Sequence, residues 1–329
     1  MSCTRRGFLK SAGVLGGAMM LGTYPAQTKG GTMSRVAVVK TTDRKEGVRN
    51  VLKTFGSNAC KGKDVLIKPN FNTADPTPGS THNDTLTTLV EEIWRMGAKS
   101  VSLGERSYPP TRQVMEEKGI LPSLEKLQVK VIDFDTLPDK DWVVVKPKSG
   151  HHWPDGFRVA RPILEAECLV STCCLKTHQF GGVFTMSLKL HVGVVPTTRH
   201  GYGYMQQLHG SPHQRRMIAE INEPFAPSLV VLDGVDAFVD GGPAFGKKAK
   251  GNLFLASADR VAIDACGVAM LKLLGSNQAI MGRPIFEQEQ IAQAVELGLG
   301  VSSPASIDLV AGPESVPLRD QLADILRKG

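Results

Sequence analysis

Short runs of β-branched and aliphatic residues alternate along the chain with segments whose apolar positions recur every three or four residues. The runs at 36–40, 64–68, 100–104 and 129–134 predict strands, and the segments at 44–55, 84–96 and 111–118 predict helices between them. Strands alternating with helices in this way predict βαβ units, and so an α/β fold of mostly parallel sheets flanked by helices. Asn83 is placed to cap the second helix and Gly97 to end it, since glycine enters the left-handed conformation at little cost.

After residue 160 the pattern is less regular. Nearly continuous apolar runs at 167–175, 228–233 and 252–257 predict buried strands, with helices at 212–223, 260–274 and 285–297 and a last strand at 307–311. Pro- and Gly-rich stretches near 73–80, 146–156 and 240–251 predict loops. With no repeat and no low-complexity linker, the expectation is one body over 33–329 with a soft division into two lobes near residue 160.

Residues 1–32 are patterned differently. Thr4-Arg5-Arg6-Gly7-Phe8-Leu9-Lys10 precedes a weakly apolar run to Tyr24, and no acid occurs before Asp43. A basic head with a short apolar run is the layout of a secretory signal, shorter than the roughly 20 residues that span a bilayer. Paired arginines ahead of Phe-Leu-Lys select its twin-arginine variant, a receptor-read address. Such a signal implies the twin-arginine translocase as partner and a periplasmic or extracytoplasmic location. Tyr24 interrupts the small-residue pattern expected before cleavage at Pro25-Ala26-Gln27, so an uncleaved signal remains the one route to membrane attachment.

The signal changes the meaning of the charge. Arg5, Arg6, Lys10 and Lys29 account for four of the formal +7, which leaves +3 for the body. With that balance, and only 6% aromatic residues, no basic stripe with interleaved aromatics points to nucleic acid. Five cysteines follow the signal at irregular spacing, which predicts small buried hydrophobes rather than a disulfide framework.

From Cys168 to Ala219 there is no Asp or Glu. The same window holds Lys176, Lys189, Arg199, Arg215 and Arg216, and five of the eight histidines: His178, His191, His200, His209 and His213. It opens at the carboxyl end of a predicted buried strand, where ligands of open α/β sheets bind, and continues through a glycine-bearing loop suited to an anion. Lys176 and His178 alternate along that strand and share a face. Lys68 and Asn70 end another buried strand.

These positions predict Lys176, His178, Lys189 and His200 as catalytic residues, and Lys68, Asn70, Arg199 and Asp233 as substrate-binding ones. The lysines would neutralise an anion, His178 or His200 would move a proton, and Asp233 or Asp264 would orient the histidine or hold a cation. For any single histidine the alternative is a side chain satisfied by backbone carbonyls. Asp264 lies in a helix apolar on nearly every face, so it must be paired, with Arg260 one turn earlier as a partner, or functional. Asp259 suits the N-cap of that helix.

A cofactor stays open. His178, His191, His200 and Asp264 are candidate metal ligands. His209 and His213 have the spacing of a helical ligand pair, but Ser211-Pro212 starts a new helix between them. No Walker loop, dinucleotide fingerprint, nucleophile elbow or Cys-x-x-Cys run is present.

Val65-Leu66-Ile67-Lys68-Pro69-Asn70, Leu175-Lys176-Thr177-His178 with Ser187-Leu188-Lys189, Asp233-Gly234 with Gly241-Gly242-Pro243, and Ala256-Ser257 with Asp259, Ala262 and Asp264 occur in order. Over about residues 35–275 this series resembles the domain of unknown function 362 family. The resemblance implies a family without a settled reaction, many of whose members carry a ferredoxin-like cysteine segment that this chain lacks, so it implies no iron–sulfur role here. The loop from His178 to Lys189 is also similar to a catalytic-domain loop of nickel-dependent lactate racemase. That similarity implies a histidine, a glycine-rich turn and a lysine holding substrate and an organometallic cofactor. Together these features predict an exported enzyme of unsettled activity that binds a small carboxylate or phosphate. The alternative is a non-catalytic periplasmic module that binds an anion or a metal and supports cofactor maturation or electron transfer in a partner.

Overall fold

In the computed structural model the described residues are 33–146 and 152–329, without the side chain of Arg199. The signal expected over residues 1–32 lies outside them. The aliphatic runs form β1 (Ser34–Lys40), β2 (Asp64–Lys68), β3 (Ser100–Glu105), β4 (Lys130–Asp133), β5 (Trp142–Val145), β6 (Phe157–Ala160), β7 (Cys168–His178), β8 (Val183–Thr185), β9 (Leu229–Gly241), β10 (Gly246–Ser257) and β11 (Ile307–Ala311). The helices are α1 (Arg44–Phe55), α2 (Asn83–Arg95), α3 (Thr111–Glu117), α4 (Leu121–Lys126), α5 (Arg161–Leu164), α6 (Ser187–Leu190), α7 (Tyr204–Gly210), α8 (Gln214–Glu220), α9 (Arg260–Leu273), α10 (Gln278–Met281), α11 (Glu289–Glu296) and α12 (Val316–Lys328).

One sheet takes the order β11-β1-β10-β9-β7-β2-β3-β4, with β8 added to the end of β7 and a separate β5–β6 hairpin. Neighbours along it pair in parallel except β10, which is antiparallel to both β1 and β9. The division expected near residue 160 does not separate two sheets, because β2 pairs directly with β7. Helices α1 to α4 cover one face through Val48, Val51, Leu89, Ile93, Val114 and Leu124. On the other face α9, α11 and α12 pack through Val268, Ile291 and Leu322. No helix among the described residues is long and apolar enough to cross a membrane.

Local chemistry explains the boundaries. Asp43 caps α1 by accepting from the Glu46 N–H, and Gly56 ends it at φ 73°. Asp259 caps α9 by accepting from Val261 and Ala262. The cap of α2 is His82 rather than Asn83: its Nδ1 accepts from the Asp84 N–H at 3.1 Å, while Asn83 opens the helix and donates its amide to the Lys118 carbonyl. The segment expected as loop near 240–251 is a hairpin instead, with Gly241 and Gly242 supplying positive φ at the turn between β9 and β10. Pro212 precedes α8 rather than opening it, and His209 belongs to α7.

Candidate functional site

Strands β7, β2 and β3 lie side by side, and their carboxyl ends with the loops that follow enclose a cavity of about 850 Å³. Lys68 and Asn70 enter it from β2, Glu105 and Arg106 from β3, and Lys176 and His178 from β7. β7 continues to His178 because the chain folds back at once into β8, pairing Lys176 with Thr185 and His178 with Val183. The turn between them holds Gly181 at φ 77°, and Val183, the first residue of β8, stands at φ 65°, unusual for a β-branched residue. At Gly182 a Cβ would lie 2.7 Å from Lys189 Cε and 2.8 Å from His178 Nδ1, so only glycine lets these two side chains converge.

The buried charges are unevenly matched. Lys68 forms an ion pair with Glu105 at 2.5 Å, and Glu105 also accepts from the Phe71 and Arg106 N–H groups. Burial pushes the Glu105 carboxyl up and the Lys68 ammonium down, while the ion pair opposes both shifts. Arg106 donates to the Val192 and Val195 carbonyls and so ties that loop over the cavity. Lys176 is 1% exposed and, among the described residues, donates only to carbonyls, of Gly79 at 2.5 Å and Pro243 at 3.4 Å. Among the described residues no carboxylate lies within ion-pair distance of Lys176 or Lys189.

This imbalance moves the titrating groups. Burial, then Lys176 and Arg106, push Lys189 down to about 7. Burial, then Lys189 and Lys176, drive His178 far below its ordinary range, so its imidazole is neutral. Three buried polar atoms of residues lining the cavity have no hydrogen-bond partner: His178 Nδ1, Asn70 Nδ2 and Thr185 Oγ1. Oxygen acceptors of a ligand would satisfy the Asn70 and Thr185 donors and neutralise both lysines.

Lys68, Asn70, Lys176, His178 and Lys189 thus share one cavity. The other expected residues stand elsewhere. Asp233 is held under α1 and α2, where it pairs with Arg44 at 2.9 Å and accepts from Thr85 at 2.7 Å, so it does not face the cationic loop. His200 contacts the Asp135 carbonyl at 3.2 Å and packs edge-on to Trp142. His191 is locked between Ser171 Oγ at 2.9 Å and Asn222 Oδ1 at 2.7 Å, and burial drives it down to about 3. Asp264 accepts from the Ser187 and Leu188 N–H groups at 2.7 and 3.0 Å, so its partner is the start of α6, beyond the foreseen Arg260. The side chain of Arg199 lies outside the described residues.

The proposed metal ligands therefore do not converge, and no three His, Cys, Asp or Glu side chains among the described residues are grouped to hold a metal ion. Nor do three cysteines among the described residues come together as an iron–sulfur ligand set. All five described cysteines are buried, and Cys173 and Cys174 occupy adjacent positions of β7. Sequence reasoning missed Glu105, Arg106 and Thr185. Glu105 and Arg106 sit at the end of β3, the rule that selected Lys68 and Asn70 on β2, whereas Thr185 depends on the turn into β8.

The lactate racemase apoprotein from Thermoanaerobacterium thermosaccharolyticum aligns at TM-score 0.44 and 13% identity, over 89% of this chain and 86% of its own. A protein from Thermotoga maritima aligns at TM-score 0.43 and 11% identity, over 70% and 57%. In sequence, a thylakoid-associated protein from Synechocystis sp. is 25% identical over 227 residues, 67% of this chain and 66% of its own length, so a third of that relative is unmatched. The family model described as Domain of unknown function (DUF362) matches residues 65–269, more than half of the chain and a span that includes Lys68, Glu105, Lys176, His178, Lys189 and Asp264. The chain belongs to the DUF362 family.

Proposed function

We propose that this chain is an exported enzyme that binds a small carboxylate or phosphate in the β2–β3–β7 cavity and moves a proton on it. The observation that carries this is the burial of Lys176 and Lys189 in one cavity with no carboxylate partner among the described residues. A buried ammonium lacking a counter-charge costs several kcal/mol, and a bound anion relieves that cost. Asn70 Nδ2 and Thr185 Oγ1 add donors for the anion. Once a bound anion offsets the charges of Lys176 and Lys189 that hold His178 below its ordinary range, the neutral imidazole with its Nδ1 unpartnered can accept a proton from substrate and return it, while Lys189 stabilises the negative charge that develops. The Lys68–Glu105 pair, fixed by backbone donors, shapes the floor.

Calorimetric titration with a panel of carboxylates and phosphates tests binding, and Lys176→Met should abolish it. Turnover of the ligand that binds tests catalysis. His178→Ala should lose activity at unchanged melting temperature; full activity in that variant would sink the role given to His178. Binding without turnover of any panel member would favour the non-catalytic module. Export is checked by fractionation, with Arg5→Lys/Arg6→Lys expected to retain the protein in the cytoplasm.

A further inference from the structure

Resting on the anion reading of this cavity, we infer that its ligand is an organic anion bearing a flat apolar group, an aryl or heteroaryl carboxylate or phosphate. A carboxylate or phosphate alone needs no more than a few times the ~30 Å³ share of a water molecule. The cavity is about 850 Å³, so the head group leaves most of it unfilled.

Beyond the head-group donors the lining is mixed, with Asn72, Thr73, Thr197, Thr198, Gln206 and His209 on it, but one part of it is apolar. Leu190 from the end of α6, Val192 from the turn after it and Met205 from α7 make up that part, and two exposed aromatics stand at the lining, Phe180 at 58% and Tyr108 at 70% exposure. Single exposed aromatics are ordinary, but two on one cavity in a chain with only 6% aromatic residues are a different matter. Their places in the fold are complementary. Phe180 lies in the β7–β8 turn and Tyr108 in the loop after β3, so they flank the end of β2 on opposite sides. The strands from which these two segments leave, β7 and β3, are separated by roughly 10 Å, a spacing on the scale of a planar ring with an aromatic on either side. Phe180 is held edge-on to His178, with ring centroids 5.9 Å apart at 80°, so the aromatic edge of the cavity abuts the group assigned to proton transfer.

Calorimetric titration of the whole protein with matched pairs tests this: acetate against benzoate, and inorganic phosphate against phenyl phosphate, with cyclohexanecarboxylate as a non-planar control. Benzoate and phenyl phosphate should bind at least ten times more tightly than their bare counterparts, and benzoate more tightly than cyclohexanecarboxylate. Phe180→Ala and Tyr108→Ala, both at exposed positions, should fold normally by circular dichroism. Each should cut the aryl advantage several-fold while leaving acetate and phosphate affinities unchanged. Equal affinity for bare and aryl anions, or an aryl advantage that survives both substitutions, overturns the inference and leaves the anion site standing. Failure of every anion to bind overturns the anion reading itself.

Discussion

Lys189 and Asp264 are buried charges with opposite solutions. Asp264 has two backbone N–H donors, and removing the carboxylate orphans both in the core. Asp264→Ala should therefore destabilise the protein by about 3 kcal/mol, read by urea denaturation. Lys189 has no such partner, and its ammonium is pushed down to about 7 from the ordinary 10.5. Between those values the folded chain binds fewer protons than the unfolded one, so this group's contribution to stability rises with pH and is lost as pH falls toward 7. A bound anion reverses the shift by favouring the ammonium. Above pH 7 binding must then take up a proton, and affinity for benzoate, itself fully ionised, should fall by up to about tenfold per pH unit. Titrations from pH 6 to 9 check this, and Lys189→Met should flatten the profile. In the sequence, the absence of acids between Cys168 and Ala219 made the lysines legible. The partner of Asp264 was not legible, because the Ser187 and Leu188 amides meet it only through tertiary packing.

Among the elements, strands and helices with side-chain periodicity were legible and glycine-rich ones were not. The runs at 64–68 and 100–104 formed β2 and β3 because Val65, Ile67, Val101 and Leu103 are buried under α1 to α4, while Leu66 packs on the other face with Phe134, Trp142 and Phe157. β8 is only three residues long, too short for alternation to register, and across 240–251, expected as loop, Gly241, Gly242, Gly246 and Gly251 interrupt the pattern of side chains. The β7–β8 turn is nonetheless the element that assembles the site. A methyl group at Gly182 would meet both Lys189 Cε and His178 Nδ1 within 3 Å, and one or both must move. Gly182→Ala should keep the fold, as judged by circular dichroism, and weaken anion binding at least tenfold, a change of about 1.4 kcal/mol or more. Native affinity in that variant would show that Lys189 and His178 need not sit together.

Across the whole molecule, sequence order and spatial order diverge, which bears on whether two lobes exist as folding units. β1, from the start of the body, is inserted between β10 and β11 from its end, and β7 lies between β9 and β2. Any cut near residue 160 removes β1 from both its partners and strips β2 of β7. Each half would then expose a sheet edge and the apolar faces of β1, β2 or β10, a burden that marginal stability does not tolerate. Expressed separately, residues 33–160 and 161–329 should each lack cooperative thermal unfolding. Expressed together, they should recover it along with anion binding. A cooperative transition in the second fragment alone would mean that β7, β9, β10 and α9 form a self-sufficient core, and would restore the two-lobe division that the shared sheet argues against.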